Sequence, residues 1–67
     1  MPAPETNTAR VLGRLVREGW ELARHGGSHD LYRHPTKPGV IVVPRHRTLS
    51  AGVARQIAKI AGWISGS

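Results

Sequence analysis

Four histidines stand at positions 25, 29, 34 and 46, three of them within a ten-residue window, in a chain with ten lysines and arginines against four acids. Imidazoles at such density invite a metal reading, because zinc takes histidine nitrogens. The expected supports are missing. His25 and His29 flank a glycine turn rather than lying one helical turn apart, and no cysteine or carboxylate cluster completes a tetrahedron. Neither a metal nor another cofactor is expected. Nucleophilic catalysis fares no better. Ser28 adjoins His29, and so does Asp30, but successive residues of a strand face opposite ways, so neither is expected to reach that imidazole. Gly26-Gly27-Ser28 is not a phosphate loop, since the lysine and the following helix of that motif are absent. Its backbone amides can still form a small anion-binding nest.

General acid–base chemistry fits best. A free imidazole, titrating near about pH 6.5, both accepts and donates protons close to neutrality. RNA carries its own nucleophile, the 2′-hydroxyl, so a ribonuclease need only hold the strand, move a proton and stabilise charge on phosphorus. His29 is the candidate acid or base. Arg24, Arg33, Lys37 and Arg45 are the candidate phosphate stabilisers, and Gly27 and Ser28 the turn that meets the backbone. From spacing alone, His29 is equally a solvated strand histidine with no role.

The balance of charge supports a polyanionic partner. A formal net charge of +6 on 67 residues is high for so small a body. That length gives one domain near the lower limit of what a single core stabilises. With no cysteine there is no disulfide framework and no thiolate metal site, which suits a reducing cytoplasm. The polar segment from Met1 to Thr8 resembles neither a signal peptide nor a membrane anchor.

The elements that must position these residues follow from periodicity. Residues 1–7 read as a loose lead-in ending in helix-capping types. Val11, Leu12, Leu15 and Val16 recur at helical spacing, predicting a helix over about residues 8–18. Gly19 stands where a left-handed C-cap is wanted, with Trp20 as its hydrophobic contact. Residues 20–25 read as a strand with Trp20, Leu22 and Arg24 on one side. Gly26-Gly27 is a turn that permits positive φ. Residues 28–34 form a second strand and Thr36-Lys37-Pro38-Gly39 a second turn. Val40 to Val43 is a third strand, β-branched throughout and stopped by Pro44. Its edge offers a place for a partner or a second copy to pair. After a basic connector, Ser50 caps a second helix whose stripe is Val53, Ala54, Ile57, Ile60 and Ala61, ended by Gly62. Trp63 and Ile64 fold back over the core, and residues 63–67 are a short tail. The expected fold is α+β, a two-layer sandwich in the order α-β-β-β-α, with a three-stranded antiparallel sheet and both helices on one face.

Parity on the second strand decides what the open face carries. His29, Leu31 and Arg33 share one side, and Asp30, Tyr32 and His34 the other. If Tyr32 packs under the helices, His29 and Arg33 face out together. If Leu31 is the core residue, the geometry reverses. A large aromatic fills a two-layer core well, which favours Tyr32 inward.

Gly19-Trp20, Arg24, Gly27-Ser28-His29, Tyr32, His34-Pro35-Thr36, Pro38-Gly39, Val42-Val43-Pro44, Leu49-Ser50-Ala51-Gly52, Ile57 and Ala61-Gly62 together give a pattern that resembles the HicA toxin family over about residues 8–62. The resemblance implies a fold similar to the double-stranded-RNA-binding domain. It implies a metal-independent mRNA endonuclease of a type II toxin–antitoxin system, with His29 at the catalytic position. It also implies a HicB-type antitoxin that covers this histidine. Two departures stand out: His25 and Gly26 replace a frequent glutamine and lysine, and Asp30 replaces a second histidine that many members carry. Two other readings remain beside the nuclease. One is a non-catalytic double-stranded nucleic-acid-binding module acting through backbone phosphates. The other is a domain whose basic face meets an acidic protein.

Overall fold

The computed structural model describes residues 4–64. Five elements follow one another: α1 (Thr8–Arg17), β1 (Glu21–His25), β2 (His29–Arg33), β3 (Ile41–Pro44) and α2 (Ala51–Ala61). The strands form one antiparallel sheet in the order β1-β2-β3, so the fold is the expected α+β arrangement, α-β-β-β-α. No helix among the described residues is long and apolar enough to cross a membrane.

Both helices start and stop by the same local chemistry. The Asn7 side chain accepts from the Arg10 amide at 3.1 Å, and Ser50 Oγ accepts from the Val53 amide at 3.2 Å. Each satisfies one of the orphan donors of a first helical turn. At the other ends sit two Gly-Trp pairs. Gly19, at φ +97°, donates to Val16 O while Trp20 donates to Leu15 O at 3.0 Å. Gly62, at φ +82°, donates to Lys59 O while Trp63 donates to Ala58 O at 2.8 Å. This is the Schellman closure, with glycine supplying the left-handed residue and the next side chain folding back on the helix. Trp20 is fully buried and Trp63 packs partly buried against the core.

The core lies between the helices and one face of the sheet. Val11 and Leu15 of α1 meet Ala54, Ile57 and Ala61 of α2 over Tyr32, Ile41 and Val43, with Trp20 and Leu49 filling the ends. Tyr32 therefore points inward, and burial raises its phenol's pKa. His29 and Arg33 are exposed, as the parity argument required.

Four expectations need correction. The lead-in is not loose at its end: Asn7 bridges to Thr48, Thr6 O accepts from the Leu49 amide at 2.8 Å, and the Thr8 hydroxyl donates to His46 O. These contacts bring α1's start against the basic connector. Pro44 does not stop β3 but ends it from within, opposite His29. Neither Gly26 nor Gly27 uses positive φ. Most consequential is an irregularity in β1. Leu22 pairs with Tyr32, yet Arg24 pairs with Leu31, so Ala23 is an extra residue in the ladder. Such a bulge switches the facing of everything beyond it. Leu22 and Arg24 consequently lie on opposite faces, and Arg24 joins His29, Leu31 and Arg33 on the open one.

His34 ties the layers together. Its Nε2 donates to Glu18 O at 2.9 Å, and its Nδ1 accepts from the Thr36 and Lys37 amides at 3.1 and 3.2 Å. One tautomer satisfies this whole knot. The ring also meets Trp20 edge-on, with centroids 5.3 Å apart. A Cβ on Gly19 would lie 3.0 Å from His34 Nε2 as well as forcing a side chain into the left-handed region. Gly19→Ala is expected to cost about 2 kcal/mol in urea denaturation, the scale of a left-handed non-glycine residue.

Glu18 forms a second tie. It accepts from Trp63 Nε1 at 2.7 Å and pairs with Arg14 Nε at 3.0 Å, while Arg14 lies 4.2 Å over the Trp63 ring. The Trp63 hydrogen bond first, then Arg14, holds the Glu18 carboxyl below its ordinary value of 4.5. A lowered folded value means the stabilisation is in place above about pH 4.5 and drains as pH falls through the lowered value. Melting temperatures measured from pH 6 down to about pH 3 should fall less steeply for Glu18→Gln than for the unaltered chain.

Candidate active site on the open sheet face

The β1–β2 hairpin presents His29. Strand pairing runs to His25 opposite Asp30, and the Gly26 amide then donates to His29 O at 2.9 Å. A Cβ on Gly26 would stand 2.5 Å from that same oxygen. Close backbone approach, not an unusual φ, is therefore why glycine is needed there. A Cβ on Gly27 would meet nothing within 4 Å, and Ser28 is exposed, so the tip is open to solvent.

Ser28 lies outside β2, and strand alternation does not govern it. Its Oγ stands 3.4 Å from His29 Nδ1, nearer than the sequence expectation allowed but long for a hydrogen bond. His29 Nε2 has no hydrogen-bond partner among the described residues and is open to an incoming group. The amides of Gly27 and Ser28 likewise have no partner there, whereas that of Gly26 is taken by His29 O. Asp30 points to the opposite side of the strand, as expected.

The four cations singled out in the sequence separate into two pairs. Arg24 and Arg33 are exposed on the same face as His29 and make no ion pair with a described residue. Arg24, opposite Leu31, is diagonal to both His29 and Arg33, within reach of long side chains. Arg33 lies four residues along β2 from His29, about 13 Å at ordinary strand rise. It rims an open cleft of about 290 Å³ shared with His34, Lys37, Pro38, Gly39 and Val40.

Lys37 and Arg45 are engaged elsewhere. Lys37 Nζ donates to Ala61 O at 3.2 Å, closing the C-terminal end of α2 where cations are favoured. Arg45 grips the hairpin from below. Its Nη2 donates to Asp30 Oδ1 at 2.8 Å and Gly26 O at 2.6 Å, its Nη1 to Gly27 O at 3.2 Å, and its Nε stands 3.4 Å from Asp30 Oδ2. The His25 ring completes the cluster, with Nδ1 3.0 Å from Asp30 Oδ1 and Nε2 2.8 Å from Arg45 Nη2. Arg45 first, and His25 less, hold the Asp30 carboxyl below its ordinary range. The same pairing raises the Arg45 guanidinium. The negative charge that Asp30 brings is thus absorbed beneath the turn.

This clamp was not legible in the sequence. Arg45 lies fifteen to twenty residues from its partners, and only the β2–β3 pairing brings it to them. A basic residue just after β3 facing an acid just after a glycine turn was the available signal.

Among the described residues, no three histidine, aspartate or glutamate side chains gather as a metal site requires. What the face offers instead is an exposed imidazole between a pair of free amides and two unpaired guanidiniums. Such a surface can hold a phosphodiester and exchange a proton with it. The model of the HicA toxin of bacterial toxin–antitoxin systems matches residues 9–63. The chain belongs to the HicA toxin family. A search of curated proteins found no match. Family membership gives this HicA protein the role of toxin and implies an antitoxin partner.

Breaking the clamp should be visible without any substrate. In Arg45→Gln, the Gly26 amide is expected to exchange with deuterium at least tenfold faster than in the unaltered chain, at a matched pH. The Val11 and Leu15 amides in α1 should keep their rates.

Proposed function

We propose that this HicA toxin is a metal-independent endoribonuclease that cuts mRNA, with His29 as its single general acid–base group and a HicB-type antitoxin as its inhibitor. One observation carries the reading: an exposed imidazole with Nε2 free stands at a glycine hairpin, on a sheet face that also bears the unpaired Arg24 and Arg33.

In the proposed reaction the scissile phosphate sits at the hairpin tip, against the Gly27 and Ser28 amides. The ribose 2′-oxygen attacks phosphorus and loses its proton, and the 5′-oxygen leaves and gains one. His29 performs one of these two transfers through Nε2, and the other passes to or from water. Arg24 and Arg33 supply positive charge, Arg24 near the reacting phosphate and Arg33 farther along the strand. Electrostatic stabilisation of this kind is commonly the largest single contribution to such catalysis. Arg45, Asp30 and His25 serve by holding the turn, and Lys37 by closing α2 beside the Arg33 cleft. The excess of positive charge draws RNA in and makes binding steeply dependent on salt.

The purified chain is expected to degrade mRNA in the presence of EDTA, and His29→Ala to lose at least 100-fold in rate while keeping its circular dichroism and melting temperature, the scale of a general acid–base group. Unchanged cleavage by a folded His29→Ala chain excludes the assignment. The direction of the pH–rate profile then separates the two roles: a rate rising with pH through the imidazole titration marks a base, a falling one an acid. Arg24→Ala and Arg33→Ala should each weaken binding to uncleavable RNA about evenly across sequences and flatten its salt dependence. The corresponding loss in Lys37→Ala should be smaller.

A further inference from the structure

The β3 strand is one edge of the sheet, and its outer side is uncovered. The Arg45 amide donates to Ser28 O at 3.1 Å, so residues 41, 43 and 45 turn their backbone groups toward β2. By the alternation of an antiparallel ladder, Val42 turns its N–H and C=O outward. Pro44 also turns outward and has no N–H to offer. Proline is tolerated at an edge for this reason, and here it limits how far a neighbouring strand can pair. The edge thus presents a short pairing window centred on Val42, whose side chain is 45 % exposed.

An apolar groove runs beside this edge. It holds about 230 Å³ and is lined by Val42 and Pro44 on the strand, by Val40 just before it, and by Val53, Ile57 and Ile60 on α2. Strand edge and groove together have the form that accepts an added strand: backbone groups for pairing, and a slot for alternate side chains. Their surroundings are cationic. Lys59 is exposed on α2 one turn beyond Gln56, which also lines the groove, and the chain as a whole carries a formal charge of +6.

We propose that the antitoxin docks here by adding an extended, acidic strand to β3, with apolar side chains alternating into the groove. The inference rests on the toxin–antitoxin reading above and names the surface that the partner uses. A second copy of this chain is a poor occupant, because two bodies of charge +6 repel and a window of one outward donor gives a symmetric pair little to share. An acidic strand is drawn in by the same field. Geometry also links docking to inhibition: Pro44 lies directly opposite His29, so a chain leaving the β3 edge at that end passes over the catalytic face.

The test is amide exchange on the complex with the cognate antitoxin, scored without RNA. Val42 should exchange at least tenfold more slowly in the complex than in the free chain. Val42→Pro removes the outward N–H while leaving the β2–β3 ladder intact, and should weaken antitoxin binding at least tenfold with an unchanged melting temperature. An unchanged Val42 rate in the complex overturns the proposal. So does a folded Val42→Pro chain that binds as tightly as the original. If the variant fails to fold, the exchange result decides alone. A free chain that sediments as a dimer with Val42 already protected assigns the edge to a second copy and overturns it too. Association that does not slow with added salt removes the acidic strand. Because none of these readouts involves RNA, failure here leaves the nuclease reading standing, and a silent His29 leaves the docking surface standing.

Discussion

A chain of 67 residues has enough apolar side chain to cover one face of a three-stranded sheet, and not two. Everything distinctive about this molecule follows from that one-sided burial. Val11 and Leu15 from the first helix and Ala54, Ile57 and Ala61 from the second converge on Tyr32, Ile41 and Val43. Both helices are sealed by a Gly-Trp closure, so that each terminal turn contributes a large aromatic to the same layer. The opposite face of the sheet is left to solvent, and a histidine placed on it has access to a polymer that no enclosed pocket of so small a protein can admit.

Charge is distributed with the same economy. Glu5, Glu18 and Asp30 each pair with an arginine close to a structural junction: the start of α1, the α1–α2 contact and the hairpin. These are largely exposed pairs, worth little singly as stability. Their effect is on geometry, since each fixes an element that a core of this size does not reach. Of the cations left over, Arg24 and Arg33 are the ones that face outward beside His29. Three of the four acids are thus spent away from the open face, and the fourth, Glu21, stands on it opposite Arg33, so that the face keeps a positive excess beside His29 and Arg24.

Much of this organisation can be read from local pattern. The helical spacing of Val11, Leu12 and Leu15, the capping side chains of Asn7 and Ser50, and the glycines after each helix are short-range signals with a direct physical cause. So is the alternation that turns Tyr32 inward and His29 outward. Facing on β1 was misread because a bulge at Ala23 leaves no mark in composition: a strand of five exposed residues reads alike in either register. Ser28 was misread because the strand begins one residue later than periodicity suggests.

The amino-acid sequence alone determined the element order, the buried face and the exposure of His29, because each depends on neighbours within a turn or two. Which arginines make no ion pair among the described residues was decided only by the tertiary structure. Arg45 and Arg33 are both basic residues at strand ends, yet the β2–β3 pairing carries Arg45 to Asp30 and the Gly26 and Gly27 carbonyls, while Arg33 is left unpaired. A contact between groups fifteen residues apart exists only once the chain has closed on itself, so no local pattern can announce it.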